Sequence, residues 1–155
     1  MPLEIERKYL VYKEYKKFVT QSYEIKQGYL STDPQRTVRV RIRDKKGFIT
    51  IKGASDMSGI SRFEWEKEIP FDEALELLNI CLPNIISKTR HIIKYKQHII
   101  EVDEFQDENK GLILAEIELN YLDQKIEKPS WLGQEVTNDK RYYNSHLAQH
   151  AYSTW

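Results

Sequence analysis

Six short runs of this 155-residue chain place like charges two residues apart: Glu4 with Glu6, Arg39 with Arg41, Glu64 with Glu66, Lys88 with Arg90, Glu101 with Asp103, and Glu116 with Glu118. On an extended strand, residues i and i+2 share one face roughly 7 Å apart. Each pair is then a like-charge contact that costs stability unless opposite charge or a ligand sits between or across from it. One such pair is an ordinary solvated face. Six of them on six strands suggest faces that look at one another. Lys8 and Lys52 join Arg39, Arg41, Lys88 and Arg90 to bring six cations into a confined space. Guanidinium forks match phosphate oxygens and lysines act as point charges. The carboxylates are hard oxygen ligands of the kind Mg²⁺ or Mn²⁺ prefers, with no need for thiolate or imidazole. A divalent ion also turns carboxylate repulsion into shared coordination. Acids and bases together fit metal-assisted phosphoryl transfer to water on a compact polyphosphate.

Such residues need strands to hold them, and period-two alternation dominates the chain. Strands are expected at 3–11, 23–30, 37–43, 48–52, 62–69, 88–95, 98–105 and 112–121. Turns at Asp44–Gly47 and Asp107–Gly111 join neighbouring runs. About eight strands, mostly adjacent in sequence, favour an antiparallel meander closed into a barrel. The expected class is therefore α+β, mainly β: an eight-stranded antiparallel closed barrel with a charged lumen and helices packed outside. The run Leu112–Leu119 discriminates best. Ile113, Ala115, Ile117 and Leu119 are apolar throughout, while the other face begins with Leu112 and Leu114 before Glu116 and Glu118. A lumen plugged at one end and wet at the other accounts for that row. Helical spacing appears at Tyr12, Tyr15 and Val19, and at Phe71, Ala74, Leu75 and Leu78 just after Pro70. A third helix, capped by Asp139, would carry Tyr143, Leu147 and Ala151. The segments 54–61 and 128–138 read as connectors, and the chain as one domain over residues 1–155.

Composition narrows the classes further. Lys+Arg 24 balances Asp+Glu 24, which argues against a nucleic-acid partner, since backbone affinity needs uncompensated positive charge. Ten Tyr, five Phe and three Trp argue against disorder. The lone Cys81 cannot form an intrachain disulfide and fits a reducing compartment. No apolar run approaches the ~18 residues a membrane helix needs, and MPLEIERKYL has no signal core. The expectation is a cytoplasmic protein with no membrane partner. His146 and His150 have zinc-capable spacing but no third ligand nearby and read as surface or packing residues. His91 and His98 are expected to face solvent, Trp65 and Trp131 to be buried anchors, and Cys81 to be core. Gly28 and Gly53 fit strand ends or bulges.

The chain also resembles a known family. Glu4-Ile5-Glu6-Arg7-Lys8 carries an ExExK pattern. Arg39-Val40-Arg41, Thr50-Ile51-Lys52-Gly53, Phe63-Glu64-Trp65-Glu66, Lys88-Thr89-Arg90, Val102-Asp103, Ala115-Glu116-Ile117-Glu118 and Trp131–Thr137 follow it in order. Together they resemble the CYTH superfamily, the triphosphate tunnel metalloenzymes, and most of all its short bacterial inorganic triphosphatases. The resemblance implies an Mg²⁺- or Mn²⁺-dependent hydrolase splitting tripolyphosphate into pyrophosphate and phosphate. It implies Lys8, Arg39, Arg41, Lys52, Lys88, Arg90 and Lys140 on phosphate, with Lys8, Tyr29, Arg41 and Lys52 catalytic. Glu4, Glu6, Glu116 and Glu118 would ligate metal, supported by Glu64, Glu66 and Asp103. Lys140 would close over one tunnel end. Thiamine triphosphatase and class IV adenylyl cyclase are the alternatives within the family, a non-catalytic polyphosphate or nucleotide sensor the one outside it. A small-molecule triphosphate is the expected partner, and a homodimer is compatible with the sequence.

Overall fold

Alternating charge and hydrocarbon become strand along most of the chain in the computed structural model, which describes residues 3–12 and 14–155. The strands are β1 (Leu3–Val11), β2 (Val19–Ser31), β3 (Arg36–Arg43), β4 (Lys46–Ser55), β5 (Ser61–Ile69), β6 (Ile86–Tyr95), β7 (His98–Phe105), β8 (Ile113–Glu118) and β9 (Leu132–Glu135). Eight of them close into an antiparallel ring, β1-β5-β4-β3-β2-β6-β7-β8 and back to β1. The β1–β5 seam consists of three register pairs, Leu3 with Phe63, Glu4 with Arg62 and Ile5 with Ser61. Beyond it β9 takes over the same edge of β1. The Glu6 N–H donates to Ile60 O at 3.1 Å, and Lys8 O accepts from the Val136 N–H at 2.8 Å. Period two then sends the residues of even number on β1 and β8, and of odd number on β3 and β7, into the ring.

The outer face carries two apolar patches beside polar rows such as Ser22, Glu24 and Lys26, and helices cover little of it. One helix, α1 (Phe71–Asn79), starts after Pro70 and packs Ala74 and Leu78 on Val40 and Ile42. On the far side Tyr9, Ile93, Ile100, Val102, Ala115 and Ile117 are covered by Tyr15 and Trp131, residues outside regular helix. The expected helix through Tyr12, Tyr15 and Val19 is only a 3-10 turn, Lys16–Phe18, because Val19 is drawn into pairing with Ile93. Trp131 is buried as expected, whereas Trp65 is 40% exposed on the outer wall. His98 is buried and its Nε2 accepts the Glu127 N–H, and His91 bonds Ser22, so neither simply faces solvent. Gly28 lies inside β2, where a Cβ would sit 2.6 Å from Ile85 Cδ1 and 2.9 Å from Cys81 Cβ. Close packing, rather than a strand end, demands that glycine.

Two corrections bear on the site. The 128–138 connector contains β9. The helix expected after Asp139 breaks into a 3-10 turn (Lys140–Tyr142), α2 (Asn144–Leu147) and a final 3-10 turn (Tyr152–Thr154). Asp139 caps the first of these, accepting from the Arg141 N–H. Tyr143 is extended at φ −72°, ψ 136°, so the run cannot continue. The broken segment, with Val136 ahead of it, packs Tyr142, Leu147 and Ala148 against Leu112, Leu114, Ile86, Phe105 and Tyr29. That is the plug which the two leucines ahead of Glu116 and Glu118 foreshadow.

Candidate active site

Inside the ring, the charged rows meet. Glu4, Glu6, Lys8, Tyr29, Arg39, Arg41, Lys52, Glu64, Glu66, Arg90, Glu116 and Glu118 all line one cavity of ≈ 210 Å³. Register explains the convergence: Lys8 faces Glu116 and Glu6 faces Glu118 across β1–β8, and Lys52 faces Glu64 across β4–β5. The wall is polar, with Tyr29 and Tyr143 its only aromatic rings among the described residues.

Cations and carboxylates are interleaved. Lys52 Nζ donates to both oxygens of Glu4, at 2.8 and 3.0 Å. Arg41 and Arg39 share Glu66 Oε2 at 3.3 and 3.7 Å, and the Thr50 hydroxyl donates to the same oxygen at 2.7 Å. Arg90 forks onto Asp103 with two bonds of 2.8 Å and reaches Glu101 at 3.5 Å and Glu116 at 3.9 Å. Lys8 Nζ donates to the Tyr142 carbonyl at 3.3 Å and stands over the Tyr143 ring. That carbonyl is free because Tyr143 breaks the helix. The Lys8 N–H is held in turn by Thr137 Oγ1 at 3.1 Å. Pairing leaves guanidinium donors over. The Nε atoms of Arg39 and Arg41 are buried without a partner. Burial first, then the charges of Arg39 and Arg90, push the Arg41 guanidinium down to about 9.

The acids are crowded too. Glu6 is hydrogen-bonded to Glu116; burial, then Glu116 and Glu4, hold its carboxyl well above the usual range. Burial works against ionisation of Glu116 as well, yet Lys8 and the bond from Glu6 hold it well below that range. Glu64 is pushed up to about 7 by burial and then by Glu4, to which it is hydrogen-bonded. In each of these two carboxyl pairs, burial and the neighbouring acid favour the protonated form of one member, Glu6 or Glu64. A hard divalent ion can replace such protons, and the donors are carboxylate oxygens, so this set fits Mg²⁺ or Mn²⁺ in chemistry. Among the described residues no three acids, histidines or cysteines are already drawn into a cage. Lys52, Arg39, Arg41 and Arg90 hold the carboxylates instead.

Three expected residues are elsewhere. Lys88 is 1% exposed and sealed beneath the plug, 2.7 Å from Asp103, which is equally buried. Lys140 is exposed on its 3-10 turn and lines nothing. The end it was expected to close is formed by Tyr143, Asn144 and Ser145. Glu101, from the like-charge pair with Asp103, lines the cavity, as do Thr37, Thr50, Arg62 and Thr137, which the sequence did not mark for it. Strand parity could have found Thr37, Thr50 and Arg62, whereas nothing periodic marks 143–145.

A closed β-ring with an interleaved lumen of cations and carboxylates defines a charged-tunnel protein. The chain belongs to the CYTH domain family, which it matches over residues 2–152. An inorganic triphosphatase from Acetivibrio thermocellus is 42% identical over 156 residues, spanning 100% of this chain and 99% of that one. A second, from Nitrosomonas europaea, is 34% identical, spanning 94% and 96%. The crystal structure of the inorganic triphosphatase NE1496 superposes with a TM-score of 0.69 at 32% identity, covering 96% of this chain and 95% of that one.

Proposed function

We propose that this protein hydrolyses an inorganic triphosphate, with tripolyphosphate yielding pyrophosphate and phosphate. One observation carries the reading: buried guanidiniums at Arg39 and Arg41 with unpartnered Nε atoms, inside a small polar cavity. The two guanidiniums share a single carboxylate oxygen of Glu66, so they keep donors to spare, and an anion with several charges along a short rod answers them. The size favours an inorganic substrate. About 210 Å³ falls below the volume a drug-sized or nucleotide ligand occupies, roughly 300–1,000 Å³. Kinship with two inorganic triphosphatases points the same way.

In this reading Lys8, Arg39, Arg41, Lys52 and Arg90 hold the phosphate oxygens. Arg41 and Lys52 stabilise charge as it spreads onto the departing phosphate. Glu4, Glu6, Glu116 and Glu118 would hold Mg²⁺ or Mn²⁺, which supplies Lewis-acid polarisation and an acidified water. Glu64, pushed up to about 7 by burial and then by Glu4, would release a proton more readily once Glu4 engages a cation. Tyr29 orders the wall beside Arg39, its partner in register. The mixed ring of acids favours catalysis over sensing, since binding an anion alone gains nothing from surplus carboxylates.

The test is phosphate release from tripolyphosphate, thiamine triphosphate and ATP, each with Mg²⁺, Mn²⁺ or chelator, with cAMP measured in the ATP series. Turnover of tripolyphosphate above the others, lost in chelator, is expected. Cyclisation of ATP, or tight binding without turnover in saturating Mg²⁺, would replace this reading by a cyclase or a sensor.

A further inference from the structure

The pairing of Lys88 does not suit a residue that meets substrate. Its ammonium is sealed from solvent, stands over the Phe105 ring, and donates to Asp103 Oδ2 at 2.7 Å and to Asn144 Oδ1 at 3.1 Å. Asp103 is itself buried and turns its two oxygens to the Arg90 fork, 2.8 Å each. Asn144 opens α2, and its Oδ1 also accepts from the Gln27 amide at 3.2 Å. The contacts therefore form one line, Asn144–Lys88–Asp103–Arg90, running from the carboxy-terminal segment to a guanidinium in the cavity wall.

We infer that Asn144, Lys88 and Asp103 are positioning residues that set the orientation of Arg90, and that Lys88 does not itself hold phosphate. A planar guanidinium recognises phosphate oxygens by direction as well as charge, so its value depends on being aimed. The bidentate Asp103 fixes the plane, and Lys88 fixes Asp103. Without that second cation, a carboxylate between β6 and β7 would be free to follow Arg90 wherever it turned. Asn144 fixes Lys88 in turn and couples the plug to the site. Loosening the plug therefore misaims a residue that the plug does not touch.

This rests on the triphosphate reading for its kinetic arm, so a second arm is independent of substrate. The Arg90 Nε–H resonance, assigned with Arg90→Lys, reports the guanidinium directly. In Asn144→Ala and Lys88→Met it is expected to shift and to exchange faster with water than in the parent protein. For tripolyphosphate, each variant should raise KM by about tenfold while kcat stays within about threefold, the pattern of a misaimed binding group. The double variant should be no worse than the poorer single one, because both break the same line. An unchanged Arg90 resonance in Asn144→Ala, or KM effects that multiply, overturns the inference. Asn144 is at the half-exposed end of the line, so its variant remains informative if Lys88→Met does not fold. A parent protein that neither binds nor cleaves tripolyphosphate sinks the functional reading alone, and the resonance still decides the positioning.

Discussion

Lys52 and Glu4 reach past β5, the strand between theirs, to form an ion pair in which the ammonium meets both carboxylate oxygens at 2.8 and 3.0 Å. Burial alone would drive both toward neutrality, yet Glu4 is pulled below its ordinary range by Lys52, and Lys52 is raised by Glu4 and Glu6. Each neutralises the other inside the cavity. Removing either one leaves a buried charge alone, at a cost of about 3–5 kcal/mol. Glu4→Gln and Lys52→Met should each lower Tm and abolish turnover. The double variant should regain much of the Tm and none of the activity, as melting curves and phosphate release will show.

Arg41 is the cavity guanidinium that burial, Arg39 and Arg90 bring down to about 9. Replacing it by Ala removes a donor from developing charge and should cost about 3 kcal/mol, a loss of 10²–10³ in kcat. Lysine keeps the charge but not the fork, so Arg41→Lys should recover only part of that loss. Near-parent activity in Arg41→Ala would remove this residue from the chemistry.

Acidity should tune stability in two opposite ways. Glu64 keeps its proton to about 7 in the folded chain, against 4.5 ordinarily. Folding therefore takes up a proton between those values, and the stability it contributes at low pH is lost as pH rises through about 7. Melts in chelator should fall across that window, and Glu64→Gln should flatten the fall. Saturating Mg²⁺ should reverse it, since the ion replaces protons. Asp103 has the other sign. Burial would raise it, but Arg90 and Lys88 bring it down to about 2 against 3.8 ordinarily, so its contribution disappears only as pH falls through about 2.

Gly59 brings the loop between β4 and β5 against Asn138, in the loop after β9. Its φ is +74°, and a Cβ there would lie 1.7 Å from Asn138 Oδ1. Gly59→Ala must strain the backbone and push Asn138 away, a loss of about 1–2 kcal/mol. Because Gly59 lines the cavity, KM should rise as Tm falls. An unchanged Tm would mean that the two loops part freely.

Much of the wall was legible because strand geometry allows few choices. Once Glu64 and Glu66 alternate with Phe63 and Trp65, parity alone sends both acids to one side. Parity could not separate Arg90 from Lys88, which share a strand face. Whether that face is wet or sealed depends on Asn144, more than fifty residues further along, in a segment with no period to read. The break at Tyr143 was hidden for the same reason: the Leu147 and Ala151 spacing is helical, but the Tyr142 carbonyl does more by binding Lys8 than by continuing a helix. β9 was missed as a four-residue strand containing Gly133. Trp65 was misjudged because hydrophobicity does not tell which outer surface a helix covers.

The seam between β1 and β5 has one further consequence. Leu3, Ile5 and the acid between them clasp the hoop, and that acid is also part of its charged lining. Clipping that clasp would unfasten the hoop and strip its inner surface of an acid in one cut, so structural integrity and competence cannot be lost separately there.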